Sequence, residues 1–284
     1  MRKAVLGFTT LCLLVPSCSL GPRQDWGDAM RDAYATARRE ATAEVRAAVD
    51  LKVIETNIRE TPKPVIARLE GVVDFRRHDA ELVGTTKARP IVVFDDLVAY
   101  LPRSESSRAA GGKQHWTYFD FKREPSVDVD DLDRRRAVGA GLISPALAVE
   151  ILGGVLTGSI ERVGVEKAAG ERATHYKARF SQDAVAREMD DEDRREGLLR
   201  VFESLGVKED VFPGEVWLDS DGVVRRILFV LRQQKDRVNA FEMRAAWEFY
   251  DFGAAAPIST PARTDSVRST RVKDFIEEFI REAA

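Results

Sequence analysis

The chain has 284 residues, of which 44% are hydrophobic and 32% are charged, and its formal net charge is −3. This apolar fraction is too high for a disordered chain. The small acidic excess argues against nucleic acid as the main partner, because phosphate binding needs clustered lysine and arginine. Cys12 and Cys18 are the only cysteines, so a disulfide framework or a cysteine-based zinc site in the body of the protein is excluded.

The N-terminus has the pattern of a bacterial lipoprotein signal. Two basic residues open the chain, residues 4–15 are apolar but too few to span a bilayer, and Ser17 precedes Cys18. We therefore expect residues 1–17 to be a signal peptide, Cys18 to be acylated, and residues 18–27 to be a tether. The mature protein would then be lipid-anchored on the extracytoplasmic side of the cell membrane. An ordinary secretory signal and an uncleaved anchor are the alternatives.

The body of the chain alternates between helix-like and strand-like patterns. Residues 28–46 are rich in alanine, arginine and glutamate, which predicts a helix. From residue 49 apolar and polar residues alternate, as is typical of antiparallel strands with one buried face. The predicted strands lie at 49–53, 65–75, 80–84, 90–94, 96–101, 116–121, 158–164, 173–180, on both sides of a hairpin turn at 219–222, and at 239–252.

Three further helices are predicted between or after these strands. Ser144 and Pro145 suit the N-cap and first position of a helix over 145–156, which is apolar nearly all round and is therefore buried or covers something apolar. A charged helical insert follows at 191–205. The last helix is amphipathic, and its apolar stripe consists of Val272, Phe275, Ile276, Phe279 and Ile280.

These elements predict the fold class. About ten strands with a few inserted helices, and without βαβ alternation, indicate an α+β protein. We expect one large curved antiparallel sheet with helices packed on its concave face, in a single domain over residues 28–284.

No enzymatic template matches the sequence, which lacks a Gly-x-Ser-x-Gly turn, a P-loop and a dinucleotide-binding fingerprint. His78, His115 and His175 are isolated and lack the spacing of metal ligands, and we expect His175 to be a solvated residue on its strand. The acidic run at 128–133 lacks the glycine and glutamate of a calcium loop and is expected to be solvated. We therefore expect no enzymatic activity, no metal and no cofactor.

The informative feature is an excess of large apolar side chains. They are Trp217, Phe229, Phe241, Met243, Trp247 and Phe249 on the strands, and Leu147 and Ile151 on the apolar helix. One interpretation is a filled core between sheet and helices. The other is a cavity for an acyl chain under the helix at 145–156, lined by these eight residues, because a lipid needs an apolar site with few polar groups.

Several short segments occur in a fixed order between residues 48 and 262. They are Gly71–Phe75, Trp116–Asp120, the hairpin from Gly164 to Tyr176, Glu215–Asp219 with Asp221–Arg225, and Phe249–Gly253 before Pro257 and Pro261. In this order, and behind a lipoprotein signal, they resemble the LppX/LprG-type lipoproteins (the LppX_LprAFG family) of the LolA-like superfamily.

The resemblance implies a LolA-like half-barrel of antiparallel strands around helices, with an apolar cavity between them. It also implies a non-enzymatic carrier of lipids or acylated glycolipids at an actinobacterial cell envelope, held to the membrane by its acyl anchor. No catalytic residues come with it. Because the superfamily also contains periplasmic regulators, the alternative is an envelope sensor or protein-interaction module with a filled core, for which the C-terminal apolar stripe is a candidate partner surface.

Overall fold

The computed structural model describes residues 26–55, 65–84, 90–103, 113–123, 143–205, 207, 209–234, 240–253, 258–271, 275 and 279. The predictions for the signal peptide, for Cys18 and for the acidic run at 128–133 lie outside these residues. The helix that follows the predicted tether begins at Trp26, within the last part of that tether.

Four α-helices have both ends within the described residues: α1 (Trp26–Glu40), α2 (Pro145–Glu150), α3 (Gln182–Arg187) and α4 (Glu192–Ser204). The first six strands are β1 (Thr42–Glu55), β2 (Val65–Asp74), β3 (Asp79–Gly84), β4 (Pro90–Asp95), β5 (Val98–Pro102) and β6 (Trp116–Asp120). The others are β7 (Glu161–Ala168), β8 (Glu171–Ser181), β9 (Val211–Leu218), β10 (Val224–Gln234), β11 (Ala240–Tyr250) and β12 (Ser266–Arg268). Short 3-10 turns lie at Ile151–Gly154, Thr157–Ser159 and Arg263–Asp265.

These twelve strands form one open sheet in the order β12-β6-β5-β4-β3-β2-β1-β11-β10-β9-β8-β7. Neighbouring strands in the described sheet are antiparallel, apart from β12, which runs parallel to β6. The first strand lies in the middle, because β1 pairs with both β2 and β11. The predicted α+β class with a large antiparallel sheet is confirmed, and the parallel edge pair is an addition to it.

The sheet curves around the helices. Helix α2 contacts β3, β2 and β10, and the outer two of these are four strand positions apart in the sheet. In a flat sheet that separation would be about 19 Å, whereas a helix of six residues is about 9 Å long. Only a curved sheet brings these strands to one short helix, so the prediction of helices on the concave face is confirmed.

The predicted helix at 28–46 is too long at its C-terminal end. Helix α1 ends at Glu40, Ala41 adopts a left-handed conformation with φ of 69°, and β1 begins at Thr42. The composition of the next residues favours a helix, but their burial has a period of two, with Ala43, Val45, Ala47 and Val49 buried. Pairing with strands on both sides satisfies the backbone and outweighs the weak local preference for a helix.

The edge strand β7 also differs from its prediction at 158–164, since it runs from Glu161 to Ala168. Val163 and Val165 on this strand are 47% and 43% exposed. A bulge between Arg162 and Gly164 interrupts the ladder with β8. A bulge and flanking charges on an edge strand discourage pairing with another chain.

Three aspartates are neighbours on the adjacent strands β2, β3 and β4. Asp79 of β3 lies opposite both Asp74 and Asp95 in the sheet register. The Asp79 side chain is 2% exposed. Its Oδ2 atom lies 2.7 Å from the Arg77 guanidinium but is not aligned for a hydrogen bond. Burial raises the pKa of Asp79 to about 6; Arg77 opposes the shift, and Asp95 and Asp74 add to it.

Replacing Asp79 by asparagine is expected to raise the free energy of unfolding, and this gain should grow as the pH rises. The folded-state pKa lies above the ordinary value of 3.8, so the stability that protonated Asp79 contributes is full below that value and is lost as the pH rises through about 6. Urea unfolding of Asp79→Asn should give a gain over the wild type that grows from about 0.5 kcal/mol at pH 4 to about 3 kcal/mol at pH 8. The exposed Asp221→Asn is the control, and a gain independent of pH would contradict the assignment.

Candidate functional site

Six of the eight predicted lining residues lie together in the main core on the concave side. This concave cluster consists of Leu147, Ile151, Phe229, Met243, Trp247 and Phe249, and each side chain is at most 3% exposed. The side chain of Phe241 lies outside the part of the chain that the structure describes, although its backbone belongs to β11.

Phe229 lies at the centre of the aromatic packing in this cluster. Its ring makes edge contacts with Phe180, Phe212 and Trp247, at centroid distances of 5.3, 5.5 and 5.8 Å. Phe180 and Phe212 were not among the predicted lining residues, although both occupy inward positions of alternating strands. Gly214 belongs to the same surface, and a Cβ there would lie 2.8 Å from ring atoms of both Phe180 and Phe229. The packing is therefore tight at this point.

The roof of the concave cluster, residues Pro145–Gly154, consists of α2 and the 3-10 turn that follows it. The Ser144 hydroxyl accepts a hydrogen bond from the Leu147 amide at 3.1 Å, and Pro145 opens the helix, which confirms the predicted N-terminus. The predicted helix at 145–156 is shorter than expected, because α-helical geometry ends at Glu150. The roof is apolar apart from Glu150, and all of its residues except Gly153 are buried.

The described part of the concave face is filled in this conformation. A void wide enough for an acyl chain would leave its lining accessible to a water-sized sphere. The concave cluster is at most 3% exposed, and Ala148, Val149 and Leu152 of the roof are 0% exposed. An acyl chain could therefore enter between these residues only if the roof moved away from the sheet.

A buried ionic cluster fastens the end of the roof. Arg194 of α4 donates to both carboxylate oxygens of Glu150 at 2.5 Å and to Asp96 at 2.8 Å. It also lies 3.1 Å from Nδ1 of His78. The side chains of Arg194 and Glu150 are 17% and 9% exposed. We call Arg194, Glu150, Asp96 and His78 the Arg194 cluster.

Three groups of the Arg194 cluster have shifted pKa values. Burial disfavours the charge of Arg194, but Glu150 and Asp96 outweigh it and raise the pKa of Arg194. Burial disfavours the charge of Asp96, but the Arg194 guanidinium and Lys122 outweigh it and lower the pKa of Asp96. Burial and then Arg194 lower the pKa of His78, so its Nδ1 is available to accept from the guanidinium. The sequence marked Glu150 as the lone charge of its helix, but no local pattern points to a partner on another helix.

Trp217 lies on the convex face, so its prediction as a residue that lines a cavity under the roof is wrong. Val216 and Leu218 of β9 point into the main core, so alternation places Trp217 on the other side. Its indole stacks on the His175 ring, with centroids 4.2 Å apart and planes 13° apart. The Arg226 guanidinium carbon lies 4.8 Å from the indole centroid.

His175 is not the solvated residue that its strand position predicted. Its side chain is 10% exposed, and its Nδ1 and Nε2 atoms lie 2.9 Å from Glu166 and 2.8 Å from Glu215. The stacking on Trp217 and the two carboxylates tie β7, β8 and β9 together on the convex face. A polar residue on an outward position is buried here because a large neighbour covers it.

In the ranges that the structure describes, no group of three or more histidine, cysteine, aspartate or glutamate side chains is placed to hold a metal ion. No helix in the same ranges is both long and apolar enough to cross a membrane.

The fold and site define an open, curved antiparallel sheet around an apolar roof, and several solved structures are similar to it. No family model and no curated protein matches the chain. The lipoprotein LppX of Mycobacterium tuberculosis is 11% identical, with 82% of this chain and 97% of that chain covered and a TM-score of 0.41. LprF from Mycobacterium bovis is 13% identical, with 83% and 96% covered and a TM-score of 0.37.

The complex of MucA and MucB from Pseudomonas aeruginosa is also similar to the chain. There the identity is 13%, 85% of this chain and 60% of that chain are covered, and the TM-score is 0.30. Identities and scores in this range do not assign a function to the chain.

Proposed function

We propose that the chain is a non-enzymatic lipoprotein of the cell envelope that binds a lipid or acylated glycolipid through its acyl chain, between the concave sheet face and the roof. The observation that carries the proposal is the character of the roof. Ten residues from Pro145 to Gly154 carry one charge, at Glu150, and lie on a sheet face that is itself apolar. Displacing the roof would open an apolar site with few polar groups, which is what an acyl chain requires.

The free energy of burial that is lost when the roof is displaced is similar to the free energy that is gained when an acyl chain is buried in its place. The four large aliphatic side chains of the roof, Leu147, Val149, Ile151 and Leu152, each gain about 1.5–3 kcal/mol from burial, or about 6–12 kcal/mol together. An acyl chain of about 16 carbons gains about 0.8 kcal/mol per methylene, or about 12 kcal/mol. An acyl chain can therefore compensate for the lost burial of the roof, and the cost of separating Glu150 from Arg194 comes in addition.

The test is lipid content and acyl uptake of the full chain. Protein made in a related bacterial host is extracted with organic solvent and analysed by mass spectrometry, and delipidated protein is then exposed to a photoreactive palmitate analogue. We expect up to one lipid per chain, and crosslinks in peptides of β10, β11 and the roof. The absence of both bound lipid and probe uptake would refute the proposal.

Matched variants sharpen this test. Ile151→Asp places a carboxylate in the roof, where Ile151 is 0% exposed, and should reduce crosslinking at least tenfold because an unpaired charge disfavours an apolar ligand. Leu199→Asp on α4, where Leu199 is 36% exposed, should leave it unchanged. If Ile151→Asp does not fold, the map of crosslinks on the wild type decides, since crosslinks confined to the convex face contradict the proposal.

The second candidate is an envelope sensor or interaction module, which is favoured by the filled concave face. The C-terminal stripe does not provide its partner surface at the described positions, because Phe275 and Phe279 are 1% and 0% exposed and belong to the main core. The Phe275 ring lies 5.8 Å from that of Phe119 in β6. If the protein captures an envelope protein while it contains no bound lipid, this function would be favoured over acyl binding.

Membrane attachment has a separate test. Because Ser17-Cys18 fits a lipoprotein cleavage site, Cys18→Ala is expected to move the protein from the membrane fraction to the soluble fraction. Fractionation followed by immunoblotting measures this, with Cys12→Ala as the control that should stay in the membrane. Retention of Cys18→Ala in the membrane would exclude acylation at that residue as the anchor.

A further inference from the structure

A basin lies at the centre of the convex face, on the opposite side of the sheet from the roof. Ala48 of β1 and Ala246 of β11 are direct partners in the sheet register. Their small side chains leave a basin of about 270 Å³ across β2, β1, β11 and β10. Its charged walls are Arg46, Arg68, Glu70, Arg226 and Glu248.

The walls carry one more positive than negative charge, with three arginines and two glutamates. Glu248 accepts a hydrogen bond from the Tyr250 hydroxyl at 2.5 Å and lies 3.7 Å from Arg226. The Arg46 guanidinium lies 4.8 Å from the Tyr250 ring centroid. Arg68 is exposed and has no ion-pair partner among the described residues. The basin is therefore charge-complementary to a ligand with one negative charge.

Arg226 is held in a fixed orientation at one end of the basin. Its guanidinium lies over Trp217, whose ring also stacks on His175. The Nε atom of Arg226 is buried and has no hydrogen-bond partner within the described part of the protein. A guanidinium stacked on an aromatic ring presents its N–H groups as a planar fork, which matches a carboxylate or phosphate.

We propose that this basin binds a small organic monoanion, with its apolar body on the floor formed by Ala48 and Ala246 and its carboxylate group against Arg226. The volume is just below the range of about 300–1,000 Å³ of sites for drug-sized ligands, so the ligand is small. Arg46 and Arg68 attract the anion and confine it to the basin. This inference does not depend on the acyl-binding proposal, because the two sites lie on opposite faces of the sheet.

The experiment is an NMR titration of ¹⁵N-labelled protein that lacks residues 1–17 with 2-naphthoate. Its neutral isostere, 2-naphthylmethanol, is titrated in parallel. We expect a Kd on the order of 0.1–1 mM for the acid, as for a ligand of fragment size, with shifts concentrated at amides around Ala48 and Ala246. The alcohol should bind at least tenfold more weakly, because it lacks the charge-assisted hydrogen bonds.

Three variants test the geometry. Ala246→Leu fills the floor and should weaken binding at least tenfold. Arg226→Lys keeps the charge but loses the fork, and should weaken binding about 3–10-fold. Arg244→Lys is the control, because Arg244 is on the same face of β11 but outside the basin lining, and its affinity should stay within about twofold of the wild type.

Several outcomes would overturn the proposal. Equal binding of the alcohol would remove the role of the charge, and unchanged affinity in Ala246→Leu would place the ligand elsewhere. Shift changes at amides of the roof rather than of β1 and β11 would assign the probe to the concave site. If no binding is seen at a 2-naphthoate concentration tenfold above the expected Kd range, the basin does not bind a ligand of this class. If Ala246→Leu does not fold, two other results test the proposal: the position of the amide shift changes in the wild type, and the affinity of Arg226→Lys.

Discussion

Replacing Arg194 by methionine is expected to lower the free energy of unfolding by about 3–5 kcal/mol. Methionine retains much of the apolar length of the side chain but removes the guanidinium. Glu150, which is 9% exposed, would then be buried without its compensating guanidinium, and Asp96, which is 19% exposed, would keep only its ion pair with Lys122. Urea unfolding at pH 7, followed by circular dichroism, measures the loss.

The control for Arg194 is an exposed ion pair on the same helix. Glu196 pairs with Arg200 and is 55% exposed, so Glu196→Gln should cost less than about 0.5 kcal/mol. Adding Glu150→Gln to Arg194→Met should recover part of the loss, because the uncompensated carboxylate is then neutral. A loss below about 1 kcal/mol for Arg194→Met would show that the cluster does not fasten the roof.

The Arg194 cluster also has an expected pH dependence through His78. Because the folded-state pKa of His78 is lowered from its ordinary 6.5, the stability it contributes is full above that value and is lost as the pH falls through and below it. Burial, Arg194 and Arg38 lower this pKa, and the carboxylates of Glu150 and Asp96 oppose them, so Arg194→Met removes the larger of the two lowering charges. The slope of stability between pH 7 and pH 5 should therefore be smaller in the variant than in the wild type.

Replacing Phe229 by alanine is expected to cost about 3–5 kcal/mol, the usual range for removal of a buried aromatic ring. Phe229 is 0% exposed and contacts three other aromatic rings. The neighbours lie on three other strands of a rigid sheet, so they can close the resulting cavity only in part. Urea unfolding gives the loss, and Leu199→Ala at an exposed position of α4 should cost less than about 0.5 kcal/mol.

The same variant distinguishes a filled core from a hollow one. If Phe229 lined an open ligand cavity, its ring would already lack partners on one side, and truncation would cost much less. A loss of about 1 kcal/mol would therefore contradict the packed concave face. A full loss, together with acyl uptake by the wild type, would require the roof to open during binding.

Much of the fold could be predicted from the sequence because strand burial has a local period of two. β2, β8 and β11 alternate apolar and charged residues and were found in nearly their full length. The sequence does not predict the start of β1, because small alanines alternate there with long arginine and glutamate side chains. The large apolar residues that usually mark a strand are absent from this part. Its pairing with β2 and β11 joins residues up to about 200 positions apart, which no local window contains.

The site could be predicted less completely, for two reasons. In β9 the consecutive apolar residues Val216, Trp217 and Leu218 obscure the alternation. Only the polar neighbour Glu215, which shares the convex face with Trp217, indicates the direction of that side chain. Arg194 lies 44 residues from Glu150 and 98 from Asp96. A contact at such distances depends on how α4 packs on the roof, so the sequence contains no spacing that reveals it.

The order of apolar and polar residues along the chain is enough to imply the class of fold and an apolar roof capped by Ser144. These features depend on neighbours a few residues apart. Three features arise only in the folded chain: the filled concave face where it is described, the pairing of Glu150 with Arg194, and the basin that two alanines form between arginines on the other face. Each of these depends on side chains from distant strands and helices, which the curvature of the sheet brings together.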